Sequence, residues 1–129
     1  MWSCGFDPTG DTIWVSVRLF GPRDQGDFRF ILDTGTPVTT IDLGVVDALG
    51  YSARMAKGRS RSVGMGGAES GYLLEVSRLD AMGFTAGSID VVCADLPSGM
   101  GIDGLIGTDL LAGRVLTLDW VRGLFSVEG

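Results

Sequence analysis

Apolar and polar residues alternate along much of the chain, which is the pattern of half-buried β-strands rather than of amphipathic helices. The alternation is clearest over residues 12–20, where every second side chain is apolar: Ile13, Val15, Val17 and Leu19. A polar loop, residues 21–27, separates this run from the apolar run 28–32. The two runs are therefore predicted to pair as a hairpin whose second strand ends at Asp33.

The remainder of the chain predicts more strands and two short helices. The strands are expected at residues 38–42, 58–63, 69–79, 88–96, 105–106, 114–120 and 124–129. One helix is expected over residues 43–50, closed by Gly50, and another from Thr108 to Ala112, stopped by Gly113. With 21 glycines and so little helix, the pattern favours an all-β fold with one or two short helices, closed and rich in turns.

Length limits the organisation of the chain. A sequence of 129 residues that is 45% hydrophobic can bury one ordinary core and is too short for two full-sized lobes. We therefore expect a single domain over residues 1–129. Residues 1–11, which include Pro8 and two glycines, are expected to be irregular.

Charge and composition exclude several classes of function. The formal net charge is −6 with only ten Lys and Arg, which argues against nucleic-acid binding. The chain has no histidine, so Ser-His-Asp and Cys-His catalysis and imidazole zinc sites are excluded within one chain. Acid–base catalysis near neutral pH would therefore depend on carboxylates. Cys4 and Cys93 do not make a disulfide framework or a metal site and are expected to be buried free thiols.

No targeting or membrane segment is visible in the sequence. The N-terminus lacks a basic stretch followed by an apolar one, and no run reaches the roughly 18 apolar residues of a membrane span. A cytoplasmic protein without a membrane span is the expectation.

Asp33 stands out because it ends an apolar strand and is followed at once by Thr34 and Gly35. A carboxylate at the end of a buried strand is costly unless it is hydrogen-bonded, protonated or used in chemistry. Glycine lets the backbone turn tightly and brings its amide towards the carboxylate, while the threonine hydroxyl can bond to nearby backbone. Such a turn would hold the carboxyl group rigidly.

Three ordered elements carry a family resemblance. The stretch ILDTGT, residues 31–36, resembles the active-site triplet of aspartic proteases, and GLIGTDLL, residues 104–111, resembles the apolar-apolar-Gly element of the same fold. Between them lies a hairpin, about residues 58–79, in the place of the flap. Their order and spacing, from about Thr12 to Val127, resemble the single-lobe, retroviral-type branch, the retropepsin-like proteases, which also occurs in bacteria.

The resemblance implies a closed retropepsin-like barrel and an aspartic endopeptidase. Aspartic proteases use two facing carboxylates and this chain supplies one triplet, so the resemblance implies a homodimer in which two copies of Asp33 activate a water against a peptide or protein substrate. No cofactor or metal is needed. The other implied site residues are Thr34, Gly35 and Thr36 supporting the active-site loop; Leu105, Ile106 and Gly107 beside it; and Gly64, Met65, Gly66 and Gly67 at the flap tip.

Alternatives exist for the function and for single motifs. A retropepsin-like dimer that serves as a non-proteolytic dimerisation or peptide-binding module would share the fold. The segment GMGIDG, residues 99–104, fits G-x-G-x-x-G with Asp119 downstream, but the following helix is too short for a dinucleotide-binding unit. The triplet also resembles the aspartate loop of dehalogenase-like phosphatases, without their second aspartate or lysine.

Other side chains near the two motifs carry expectations of their own. Asp103 and Asp109 flank the Leu105–Gly107 element and are expected to be structural, Asp109 as a cap of the short helix. Apolar residues near the triplet would suit hydrophobic side chains around the cleaved bond; they are Val38, Leu96, Pro97, Ile102 and Leu105.

Overall fold

The computed structural model describes residues 1–64, 67–97 and 101–129, with the backbone alone for residues 60–64 and 67–70. The strands are β1 (Trp2–Gly5), β2 (Trp14–Phe20), β3 (Gln25–Leu32), β4 (Thr40–Asp42), β5 (Gly58–Gly64), β6 (Gly67–Ala81), β7 (Phe84–Ala94), β8 (Gly104–Ile106), β9 (Val115–Asp119) and β10 (Leu124–Glu128). One α-helix, α1 (Leu43–Ala48), and a single 3₁₀ turn, Ala53–Met55, complete the described elements.

Six strands form a closed barrel. They follow one another in the order β2, β3, β8, β4, β7 and β6, and β6 returns to pair with β2 from Val17–Ala81 to Phe20–Arg78. Strand β5 pairs antiparallel with β6 to form a hairpin, and β5 is not one of the six barrel strands. The predicted all-β closed barrel is confirmed, and alternation in β2 buries Val15, Val17 and Leu19 inside it.

The barrel core is apolar and continuous with the sheet formed by the chain ends. Its largest fully buried side chains include Phe30, Ile41, Leu74, Leu79, Ile106 and Phe125. Helix α1 begins where Asp42 accepts a hydrogen bond from the Gly44 amide at 3.0 Å, and it ends before Gly50, whose φ is +95°. The predicted helix over residues 43–50 is therefore confirmed, with Gly50 in the left-handed conformation that favours glycine.

The expectation of an irregular N-terminal segment is wrong for residues 2–5. They form β1, which pairs antiparallel with β10, and β10 pairs in turn with β9. The Trp2 ring packs edge-on against Phe125, with ring centroids 5.2 Å apart. Strand β1 depends on pairing with β10, which lies more than a hundred residues away along the chain. The four residues of β1 therefore carry no local pattern that predicts a strand.

The predicted helix from Thr108 to Ala112 is also wrong. The segment forms two successive turns, in which the Leu111 amide donates to the Thr108 carbonyl at 3.1 Å and the Arg114 amide to the Leu111 carbonyl at 3.0 Å. The Asp109 carboxylate accepts from the next amide, that of Leu110, at 2.9 Å. Aspartate side chains that bond nearby backbone favour turns over helix.

Among residues 1–64, 67–97 and 101–129, no helix has the length and apolar character needed to cross a membrane.

Both cysteines are free, but only one is buried. Cys93 on β7 is fully buried, whereas Cys4 on β1 is exposed, so the expectation of two buried thiols is wrong for Cys4. Burial raises the pKa of the Cys93 thiol to about 12. Because the thiolate is the reactive form, this thiol should be inert while the fold is intact.

We therefore predict that a thiol reagent such as Ellman's reagent titrates one cysteine in the native protein, Cys4, and both after unfolding. The Cys4→Ser variant should show almost no fast-reacting thiol. Rapid reaction of two thiols in the native wild type would contradict the burial of Cys93.

Candidate active site

The loop from Asp33 to Thr39 sits where one strand is inserted between two others. Strand β3 ends at Leu32 and β4 begins at Thr40, yet the two do not pair with each other. Strand β8 lies between them, parallel to β3 through Leu32–Ile106 and antiparallel to β4 through Thr40–Leu105. The loop must therefore cross the end of β8.

Asp33 is held at the start of this loop by backbone groups. Its amide donates to the Ile106 carbonyl at 2.9 Å, and its carbonyl accepts from the Thr36 amide at 3.2 Å. Its Oδ1 accepts from the Gly35 amide at 3.0 Å. Asp33 is half-buried, and within the described part of the chain no hydrogen bond reaches its second oxygen, Oδ2. The carboxyl group is thus oriented and still open to a further partner.

A buried hydroxyl fixes the far end of the loop. Thr39 is fully buried; its Oγ1 donates to Asp109 Oδ1 at 2.8 Å and accepts from the Gly107 amide at 3.1 Å. The Thr39 amide also donates to the Asp109 carboxylate, at 3.1 Å to Oδ1 and 3.0 Å to Oδ2. The Thr108 amide donates to the Thr36 carbonyl at 2.8 Å. These bonds tie the loop to the segment that follows β8.

The crossing explains why residue 107 is glycine. A Cβ on Gly107 would lie 2.8 Å from the Thr36 carbonyl oxygen, 2.8 Å from the Val38 carbonyl carbon and 2.9 Å from the Thr39 amide nitrogen. Real Cβ atoms do not approach backbone so closely, so a side chain here would push the loop off the strand. The absence of a side chain at Gly107 therefore lets the loop that begins at Asp33 cross close over the end of β8.

The structure brings together both groups of loop residues predicted from the sequence. Thr34 and Gly35 are exposed, Thr36 and Leu105 are half-buried, and Ile106 and Gly107 are buried beneath the loop. Thr39 and the role of Asp109 in holding the loop were missed. Asp109 is structural as expected, but it binds the loop rather than capping a helix, and a threonine next to another threonine gives no sequence signal of burial.

The predicted flap is a hairpin in its backbone. Strands β5 and β6 pair from Gly58–Leu73 to Gly64–Gly67. Met65 and Gly66 lie outside the described residues, so their predicted place at the tip stays a prediction. Function as a flap also stays a prediction.

Asp103 is a structural residue, as expected. Its Oδ2 accepts from the Arg29 amide at 2.9 Å, and its own backbone exchanges hydrogen bonds with the Arg29 carbonyl at 2.8 Å and the Asp42 amide at 2.9 Å. It therefore joins β3 to β4. Of the rival glycine motif, Gly99 and Met100 lie outside the described residues, Gly104 begins β8, and turns rather than a helix follow Gly107.

A family model described as aspartyl protease matches residues 15–110, which span the barrel strands, Asp33 and the Gly107 crossing. The chain belongs to the aspartyl protease family. It is accordingly an aspartic-type endopeptidase, a hydrolase that acts on peptide bonds. The family match includes the loop and its supports and leaves β1, β9 and β10 outside.

Solved structures of two proteases share the fold. A retropepsin-like aspartic protease from Rickettsia conorii is 14% identical, with 98% of each chain covered and a TM-score of 0.69. The EIAV protease, in a complex with the inhibitor HBY-793, is 19% identical, with 84% of this chain and 91% of that chain covered and a TM-score of 0.59. No curated protein is similar enough in sequence to count as a match. The predicted retropepsin-like fold is confirmed.

The Thr39 hydroxyl gives a test of how this aspartyl protease holds its loop. Thr39→Val keeps the shape but leaves the Asp109 carboxylate and the Gly107 amide without that partner, which should lower the free energy of unfolding by about 1–3 kcal/mol. Thr39→Ser retains the hydroxyl and loses one methyl, worth about 0.8 kcal/mol.

Urea unfolding of the three proteins should therefore rank the wild type first, Thr39→Ser second and Thr39→Val last. A Thr39→Val protein as stable as Thr39→Ser would show that the hydroxyl does not anchor the loop.

Proposed function

We propose that this aspartyl protease hydrolyses peptide bonds as a homodimer, in which Asp33 from each of two copies forms the catalytic pair. The observation that carries the proposal is the half-made site: one Asp-Thr-Gly triplet, with one carboxylate oxygen held by the Gly35 amide at 3.0 Å. A two-fold axis beside the loop would set Asp33 opposite its own equivalent.

The chemistry follows from placing two such carboxyl groups together. Like charges at short range cannot both ionise readily, so the pair shares a proton. The ionised Asp33 takes a proton from a bridging water, whose oxygen bonds to the scissile carbonyl carbon. The protonated Asp33 hydrogen-bonds the carbonyl oxygen and then supplies a proton as the C–N bond breaks and the amine leaves.

The hairpin of β5 and β6 suits a substrate that binds in extended form. Main-chain hydrogen bonds from a hairpin can hold a peptide strand whatever its side chains, and closure of the hairpin would exclude bulk solvent from the cleft while leaving the bridging water in place. Val38 lies on the loop and Leu105 on β8, and both are half-buried. Leu96 and Pro97 follow the end of β7 and Ile102 precedes β8. We propose that the enzyme accepts hydrophobic residues around the cleaved bond.

Mildly acidic conditions should favour activity. The formal net charge of each chain is −6, so two copies repel less strongly as carboxylates begin to protonate, and the pair of Asp33 carboxyl groups needs one proton to work.

Localisation in the cytoplasm remains a proposal that rests on the sequence alone.

Cleavage of denatured casein between pH 4 and 7 tests the proposal. Asp33→Asn keeps the acceptor for the Gly35 amide and removes the ionisable group, so the rate should fall by at least about 100-fold. The matched control is Asp24→Asn at the β2–β3 turn, where the side chain accepts, in the part of the chain that the structure describes, only the neighbouring Gln25 amide; this variant should cut like the wild type. The molecular mass of all three proteins is measured in the same buffers.

The possible outcomes distinguish a protease from a non-proteolytic dimerisation or peptide-binding module. A wild-type dimer that cuts, beside a dimeric Asp33→Asn variant that does not, supports the proposal. A folded wild-type dimer that never cuts any unstructured protein would instead favour the peptide-binding or dimerisation module. Equal cutting by wild type and Asp33→Asn would show that the chemistry lies elsewhere.

A further inference from the structure

Two large apolar side chains stand next to each other at the turn between β9 and β10. Trp120 is 53% exposed and Val121 is 94% exposed. Among the described residues the other exposed large apolar side chains are Met1, Met55 and Val115, and none of these is adjacent to another in sequence. Adjacent exposed apolar side chains are a marker of a contact surface, because water contact with them is unfavourable.

The turn presents these side chains from a fixed backbone. The Asp119 carboxylate accepts from the Arg122 amide at 3.0 Å, from the Arg122 Nε at 2.6 Å and from the Val121 amide at 2.9 Å, and these bonds hold the pKa of the Asp119 carboxyl below its usual value of 3.8. The Gly123 carbonyl accepts from the Phe6 amide at 2.8 Å. The Trp120 ring packs edge-on against Phe6, with ring centroids 5.5 Å apart. Little entropy would be lost on binding.

A pocket connects the turn to the active-site loop. It has a volume of about 220 Å³. Its walls include Phe6, Ile13, Leu32, Thr34, Leu118 and Trp120. Thr34 directly follows Asp33, so any body seated on this pocket lies beside the residue next to the catalytic aspartate. We call the turn residues Trp120 and Val121, together with this pocket, the tip patch.

We infer that the tip patch is the surface on which a second copy of this chain packs to complete the site. The inference rests on the proposed two-copy function, since a site with one Asp33 needs its partner close to Thr34. In a two-fold dimer a patch contacts the same patch of the other copy. Contact between two tip patches brings both Thr34 residues, and with them both Asp33 residues, to the axis.

The composition of the patch fits a copy of itself. Val121 projects from the turn while the pocket beside it is concave, so each copy offers a convex and a hollow part to the other. Both signs of charge lie at its edge, Arg122 on the turn and Asp11 on the pocket wall. Self-complementary shape and opposite charges are what an isologous interface requires.

Strand β10, near the C-terminus, has no open edge for a partner's strand. Within one chain β10 pairs with β1 on one side and β9 on the other, so both of its edges are already used. A partner's strand cannot insert beside β10 without displacing one of them. Contact through side chains at the β9–β10 turn needs no such rearrangement.

Sedimentation of the full chain across a range of concentrations tests the inference. Val121→Asp places a charge in the contact, and because Val121 is 94% exposed the variant should fold normally, as circular dichroism can check. Its dimer dissociation constant should rise by at least about tenfold. Val121→Leu should dimerise like the wild type. Val115→Asp, at the far end of β9 and 60% exposed, is the matched control and should change the constant by less than about twofold.

Two results would overturn the inference: a Val121→Asp protein that dimerises as tightly as the wild type, or a wild type that stays monomeric at every concentration. Casein cleavage is read separately. A wild-type dimer that cuts and is unaffected by Val121→Asp overturns the tip patch alone. A wild-type dimer that Val121→Asp breaks, but that never cuts, overturns the protease proposal alone.

Discussion

The insertion of β8 between β3 and β4 is the constraint on which the rest of the site depends. It separates two strands that follow each other in the chain, so the loop joining them must pass over the end of β8. The inserted strand supplies the Ile106 carbonyl, which accepts a hydrogen bond from the Asp33 amide at 2.9 Å. Because Gly107 has no side chain, the loop can pass close to the end of β8. The Thr39 hydroxyl then fixes the far end of the loop through its hydrogen bonds with Asp109 and the Gly107 amide. A carboxyl group on a loop would otherwise sample many positions, and catalysis needs one.

The sequence predicts those parts of this arrangement that have a local cause. The alternation of Val15, Val17 and Leu19 marks β2 because each of them faces the core. Asp33 stands out because a carboxylate at a strand end needs a partner, and Gly50 ends α1 because its φ is +95°. The parts that were missed have distant causes. Strand β1 exists through its pairing with β10, and the part that Asp109 plays in holding the loop depends on Thr39, seventy positions away.

In the proposed homodimer, each copy of the fold would supply a rigid half of the site. Asp33 Oδ1 is occupied by the Gly35 amide, and the closed barrel behind it anchors the loop from both ends. In the proposal the other copy supplies the second carboxyl group, with which the first would share a proton. Proteolysis in this account is therefore a property of the assembly, and it should depend on protein concentration as well as on pH.

The most direct test of the two-copy site is subunit mixing. Wild type and Asp33→Asn are combined in denaturant, refolded together and assayed on casein at a constant amount of wild type. With a fivefold excess of Asp33→Asn, random association leaves only about one sixth of the wild-type subunits paired with each other, and the activity should fall to about that fraction. The same excess of Asp24→Asn should raise it. Activity that is unchanged by the Asp33→Asn excess would contradict a site built from one aspartate of each copy.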